Sequence, residues 1–245
     1  MTMSSLSRKI LLLGACAALP ASLLLYGAVP GRAEEAPRLV PAFVQTNATA
    51  VPAENGSRTI TFSGGCFWGV QGVFEHVKGV RKAVAGYTGG QADTAQYETV
   101  STGTTGHAES VQVTYDPQAI SLARLMQIYF SVALDPTEVN EQGPDTGTQY
   151  RSEIWTSSPA EAQAATAYIA QLDATHTYGA RIATRVDPLQ GFYPAETYHQ
   201  DYLAHNPDAA YIAINDMPKV EALKRLFPQD YRATPVLALP STGAT

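Results

Sequence analysis

Apolar and polar residues alternate over Arg58–Ser63, where Ile60 and Phe62 are the apolar positions, and the period then lengthens to three and four at Phe67, Val70, Phe74 and Val77. The first pattern predicts a half-buried strand and the second an amphipathic helix over residues 66–77, with Gly64-Gly65 as the turn between them. Downstream, residues 79–86 read as a short strand. Ala108–Tyr115 alternates with Val111, Val113 and Tyr115 on one face before Asp116-Pro117 closes it. Ser121 is placed to cap a helix with the stripe Leu122, Leu125, Met126, Tyr129 and Phe130. Residues 152–156 form another strand, and Ser158-Pro159-Ala160-Glu161 then joins an N-cap, a first-turn proline and a capping-box glutamate, opening a helix to Ala174. Residues 182–186 supply a further strand and 195–204 a last short helix. Residues 97–101 read as a loop or edge segment, and 135–148, full of Pro, Gly, Asp and Asn, as a long loop of the kind that often carries function. Strands and helices alternate irregularly, which predicts an α+β fold, a two-layer sandwich with helices against one sheet.

The chain of 245 residues does not enter this pattern at once. Arg8 and Lys9 precede a charge-free stretch over residues 10–29, the form of a secretory leader, and Gly31-Arg32-Ala33 offers small residues for cleavage after Ala33. Residues 1–33 are therefore expected to be a signal peptide, or an uncleaved N-terminal anchor given the length of the apolar run. The protein is expected to be exported, periplasmic or secreted, and tethered to the inner membrane if the leader stays. Residues 34–57 read as a linker, 58–233 as one domain and 234–245 as a disordered tail. A net charge of −6 with no Lys/Arg cluster argues against nucleic acid as a partner, and a monomer is the expected state.

Of the two cysteines, Cys16 falls in the leader, which leaves the domain with Cys66 and no internal disulfide. Cys66 sits at the mouth of the predicted helix, where free amides and the helix dipole favour a thiolate, so its pKa is expected below the free value of roughly 8.5. An inert buried cysteine is the alternative. Glu109 opens the strand Ala108–Tyr115: solvated it would be an ordinary carboxylate, buried it would hold a proton near neutral pH. Asp145 reads locally as a turn cap. Tyr87, Tyr97, Tyr150 and Tyr202 read as packing residues whose hydroxyls could converge on an oxygen substituent. Five scattered histidines without zinc spacing predict no metal and no bound cofactor. His107 and His199 could in principle serve a cysteine hydrolase as base, yet no thiol-protease signature accompanies Cys66.

Five segments in this order, GGCFWG, GYTGG, TGHAESVQV, GPDTGTQYRS and YHQDYLAHNP, together resemble the peptide methionine sulfoxide reductase A family over residues 59–211. The resemblance implies an α+β sandwich with a ferredoxin-like core. It also implies thiol-dependent reduction of methionine S-sulfoxide, free and in proteins, through a cysteine sulfenic acid. In its terms Cys66 matches the nucleophile, Phe67 and Trp68 the aromatic pair that holds the substrate methyl, and Glu109 the acid that protonates the sulfoxide oxygen. Tyr97 and Tyr150 match hydroxyls that bond that oxygen, Asp145 an acidic residue that organises the site, and Tyr202 lies in a family block with a substrate-binding role expected.

Many members carry further cysteines near the C-terminus that close a disulfide with the nucleophile, whereas this chain has none after Cys66. The expectation is a one-cysteine enzyme whose sulfenic acid is reduced directly by an external thiol, a thioredoxin-like exported protein or a small thiol. His205 stands where many relatives carry lysine. The readings left beside the reductase are an exported binding module for oxidised methionine or another apolar ligand, and a thiol peroxidase.

Overall fold

The computed structural model describes residues 37–46, 49, 51 and 56–239. The expected leader, with Cys16, lies outside the described residues, and no helix among those described is long and apolar enough to cross a membrane. The chain runs β1 (Arg58–Ser63), α1 (Phe67–Glu75), β2 (Val80–Thr88), α2 (Tyr97–Val100), β3 (Ala108–Tyr115) and α3 (Leu122–Ile128). A short hairpin of β4 (Glu141–Gln142) and β5 (Asp145–Thr146) follows, then β6 (Glu153–Thr156), α4 (Pro159–Ala174), β7 (Arg185–Pro188), β8 (Tyr193–Pro194), α5 (Tyr202–His205) and α6 (Met217–Leu226).

Six strands form one mixed sheet in the order β7-β6-β1-β3-β2-β8, antiparallel throughout except for the parallel pair β6 and β7. β1 and β2 are both antiparallel to β3 and flank it, so α1 joins two parallel strands across a third; α3 joins β3 to β6 across β1 in the same way. Phe62, at the sheet centre, stacks on Phe74 of α1 at 5.0 Å and on Tyr129 at 4.7 Å. Tyr129 lies in a π-helical turn, Tyr129–Ala133, that extends α3, so both crossover helices cover the same side of the sheet. The predicted α1 stripe is buried, but so is nearly all of the helix, because α5 and α6 close over its other side.

Several local readings are corrected. Residues 97–100 form a helix, since Gln96 and Tyr97 carbonyls accept from Val100 and Ser101 amides. The strand expected at 182–186 lies at Arg185–Pro188, placed by its parallel register with β6. The helix expected at 195–204 is a 3₁₀ turn, Thr197–His199, and the short α5, separated by Asp201 in the left-handed region at φ 57°. The 135–148 loop folds into the β4/β5 hairpin, with Asp135 and Gln142 buried and the Gln142 side chain accepting from the Asp135 amide and donating to its carbonyl. Part of the expected linker packs on the domain: Arg38 N donates to Ser131 O, Val40 is buried and Phe43 rests on Tyr168 at 5.1 Å. Of the expected tail, Ala238 and Leu239 are tied to the domain, because Asp201 accepts from their amides at 2.7 Å and 3.0 Å.

The sequence reading assigned nothing to 212–226, where a π-helical turn, Ile212–Asp216, leads into α6. Pro218 lies in the first turn of α6, where a missing amide costs nothing, so it starts a helix rather than breaking one. Val220, Leu223 and Phe227 supply the buried stripe.

Candidate active site

The turn between β1 and α1 is built for close approach. Gly65 takes φ 85°, a conformation that disfavours side chains, and a Cβ on it would press on the Gln142 side chain. Cys66 is the N-cap of α1 and is 9% exposed. The next residue, Phe67, donates its backbone N–H to Glu109 Oε2 at 3.0 Å, which draws the carboxyl of β3 to the helix N-terminus. Glu109 is 3% exposed, and burial pushes it up to about 8, against the Phe67 bond and with help from Asp145 and Asp216. It therefore holds its proton at neutral pH, the second of the two alternatives the sequence allowed.

Cys66 departs from its expected state. Burial pushes the thiol well up, Glu109 and Asp216 push the same way, and the Trp68 amide and Lys219 pull it down without prevailing. The amides of the first helical turn do favour negative charge, as expected, but the Phe67 amide goes to Glu109 and two buried carboxyls oppose the rest. The resting sulfur is a thiol.

Phenols complete the site. Tyr97, on α2, and Tyr150, after β5, are both raised, chiefly by burial, and Glu109, Asp145 and Cys66 push both the same way. Gly65 N donates to Tyr150 O at 3.2 Å, so the Tyr150 segment is fixed to the nucleophile turn. Asp145 accepts a hydrogen bond from the hydroxyl of Tyr211. A cavity of about 150 Å³ is lined by Cys66, Asp145, Tyr211, Gln142 and Lys219 among others.

The aromatic side is equally ordered. Trp68 stacks on Tyr202 at 4.0 Å and 14°, meets Tyr211 edge-on at 6.0 Å, and donates Nε1–H to His199 Nδ1 at 3.1 Å. Phe67 is buried against His199 at 5.0 Å and Tyr87 at 5.8 Å. Burial lowers His199, which is neutral with Nδ1 committed to Trp68; its ring also faces Tyr97 at 4.6 Å. His107 is spent on the backbone of Gly90 and Gln91. Neither histidine is a base for Cys66, and the hydrolase option lapses.

All eight predicted residues, Cys66, Phe67, Trp68, Tyr97, Glu109, Asp145, Tyr150 and Tyr202, thus fall in one neighbourhood. Tyr211, Asp216 and Lys219 were missed. Tyr211 ends the stretch over which the family resemblance runs, four residues past its last block, a usable signal, whereas Asp216 and Lys219 arrive on the unassigned π-helical turn and α6. Among the described residues no cluster of His, Cys, Asp and Glu is arranged to hold a metal ion.

A buried thiol beside a protonated carboxyl, with phenols and an aromatic wall nearby, is a site for cysteine redox chemistry, the class of the thiol-dependent reductases. Residues 58–231 match the family model for peptide methionine sulfoxide reductase, and the chain belongs to that family. It is 57% identical over 191 residues to peptide methionine sulfoxide reductase MsrA 2 of Mesorhizobium japonicum, covering 78% of this chain and 98% of that protein. Methionine sulfoxide reductase A of Corynebacterium diphtheriae superposes with a TM-score of 0.55 at 33% identity, over 71% of this chain and 84% of that one. Reduced Mxr1 from Saccharomyces cerevisiae gives 0.56 at 34%, over 62% and 87%. The activity is that of a peptide-methionine (S)-S-oxide reductase.

Proposed function

We propose that Cys66 is the nucleophile of this reductase, Glu109 its acid, and Tyr97 and Tyr150 the donors to the sulfoxide oxygen. The observation that carries this is the Phe67 N–H to Glu109 Oε2 bond, which holds a protonated carboxyl one residue from the thiol. A sulfoxide sulfur resists attack until its oxygen is protonated or strongly hydrogen-bonded. Glu109 gives its proton to that oxygen as Cys66 attacks sulfur, and the thiol proton replaces it on the carboxyl. The hydroxyl then passes to Cys66 sulfur as the substrate's sulfur–oxygen bond breaks, the sulfur–sulfur bond made by the attack breaks with it, methionine leaves as the thioether, and Cys66 is left as a sulfenic acid. No proton is gained or lost overall, which suits a site where thiol and acid are both protonated at rest.

Phe67 and Trp68 bind the methyl group, with Tyr202 holding the Trp68 ring in place. Asp145, clamped by Tyr211, organises the polar side. With methyl and oxygen pockets on different sides of Cys66, one sulfur epimer fits, in keeping with the S selectivity. The four central strands, in the order β6-β1-β3-β2 with two crossover helices on one side, support a ferredoxin-like core.

An external thiol, a thioredoxin-like protein or a small thiol, returns Cys66 to the thiol, since no cysteine follows it in the chain. The leader-like residues 1–33 support export, with repair of oxidised exported proteins as the role. The test is a single turnover without reductant on a methionine S-sulfoxide peptide. One equivalent of methionine per Cys66 is expected; none would leave a binding module, and rapid peroxide consumption with no sulfoxide preference would leave a peroxidase.

A further inference from the structure

The C-terminal segment brings a charged pair to the back of the nucleophile that the reaction described above does not use. Asp216 ends the π-helical turn Ile212–Asp216, and Lys219 lies one turn into α6. Lys219 Nζ sits 3.2 Å from Asp216 Oδ1; the aspartate is fully buried and the lysine side chain 14% exposed. Gly69, in the first turn of α1, makes room for both. A Cβ there would collide with Asp216 Oδ1 and come within 3.1 Å of Lys219 Nζ. Lys219 also lines the cavity whose wall includes Cys66. Asp216 Oδ2 is buried without a hydrogen-bond partner, a costly arrangement unless the charge balance of the site needs it. Wide π-helical turns recur at functional sites because they re-aim side chains, and this one sets Asp216 against α1.

We propose that Lys219, held by Asp216, is a positioning residue that steadies negative charge on Cys66 sulfur whenever that sulfur attacks or leaves as a thiolate. The inference rests on Cys66 being a nucleophile recycled by an external thiol. In that recycling the incoming thiol forms a sulfur–sulfur bond to the Cys66 sulfenic acid, whose hydroxyl takes the thiol proton and departs as water. A second external thiol then attacks the incoming group's sulfur, the disulfide of the two external thiols is released, and Cys66 leaves as thiolate. A leaving thiolate is helped by a nearby cation in the same way as an attacking one. Chains with a resolving cysteine carry out the first of these exchanges internally. This chain performs both with outside molecules, which raises the demand on Cys66 as a leaving group.

The other groups facing Cys66 all carry negative or neutral character. Glu109 arrives from β3 and Asp145 from β5, while the phenols of Tyr97, Tyr150 and Tyr211 feel the Cys66 charge as well. Asp216 itself raises the thiol, and Lys219 is the cation that lowers it. The pair therefore acts on Cys66 with opposite signs. Removing the cation and removing the anion must move the thiol in opposite directions, whereas a pair that only braces α6 would loosen the site in the same direction either way.

The readout is the rate at which iodoacetamide alkylates Cys66 across pH 6–10, located by peptide mass, in the full chain and three variants with unchanged circular dichroism. At fixed pH, Lys219→Met is expected to slow alkylation about tenfold, as a one-unit rise in the thiol pKa would. Asp216→Asn is expected to speed it by a similar factor, and Lys219→Arg, which keeps the charge, to stay near the parent rate. Alkylation that is unchanged or faster in Lys219→Met, or slower in Asp216→Asn, overturns the proposal. Should Lys219→Met fail to fold, Lys219→Gln takes its place with the same expectation. Failure of the nucleophile reading looks different: sulfoxide reduction would survive Cys66→Ser, an outcome to which alkylation is blind.

Discussion

The main-chain N–H of Phe67 donates to Glu109 Oε2 at 3.0 Å, so the residue after the thiol is bonded to the acid that faces it. Helix α1 and strand β3 each contribute one reactive group, and this single bond sets their distance. Tyr87 of β2 pairs with Glu109 in register, so the strand that carries the carboxyl is also fixed on that side. Glu109→Gln should keep that hydrogen bond and the fold while losing the proton, lowering kcat by about a hundredfold to a thousandfold. An unchanged kcat for this variant on methionine S-sulfoxide would remove Glu109 from the chemistry.

Glu109 also sets a pH limit. Its carboxyl is raised from 4.5 to about 8 by burial, and it must be protonated to act. Activity of the parent enzyme in single-turnover assays should therefore fall as pH rises through about 8. The Glu109→Gln variant should lack this alkaline limb. A parent profile still rising well beyond that pH would contradict the acid role.

Stability should show the same sign through a different residue. Burial, with the neighbouring Asp201, raises Glu75 from 4.5 to about 9. A carboxyl raised on folding stabilises the native state fully below its unfolded pKa, and that contribution is lost as pH rises through the folded one. The melting temperature should thus decline between pH 4.5 and about 9, and Glu75→Gln should flatten the decline. Melting curves at three pH values decide it; a variant with the parent's slope would exclude Glu75 as the cause.

Much of this arrangement was legible in the chain. The change from alternation at Ile60 and Phe62 to helical spacing at Phe67, Val70 and Phe74 located Cys66 at a helix start, and the structure has it there as N-cap. Capping by Ser121 and Ser158 was equally readable, because caps are local. The protonation of Cys66 was not, since it depends on Asp216, 150 positions away, and on burial by helices the local pattern cannot place. The Asp145–Tyr211 bond was hidden for the same reason, and Asp145 read as an ordinary turn cap. Helix α6 was readable in principle from Val220, Leu223 and Phe227, but the proline at its start masked it.

The Asp145–Tyr211 pair invites a double-mutant cycle. Tyr211 donates to Asp145, and both line the cavity beside Cys66. Asp145→Asn and Tyr211→Phe should each lower kcat/KM about tenfold, and the double variant should lose less than the product, with a coupling of about 1 kcal/mol. Strict additivity would mean that the two residues act separately.

The fate of oxidised Cys66 gives the last test. Cys66 is the free cysteine among the described residues, and the C-terminal segment that packs behind it carries no cysteine. After one turnover without reductant the sulfenic acid at Cys66 therefore has no resolving thiol among the described residues. Intact mass should show the protein heavier by one oxygen, and dimedone should trap nearly all of it at Cys66. Adding a thioredoxin-like protein or a small thiol should restore the starting mass through a mixed disulfide. An intramolecular disulfide between Cys16 and Cys66 as the main product would overturn the one-cysteine cycle, since Cys16 would then be present and within reach in the working enzyme.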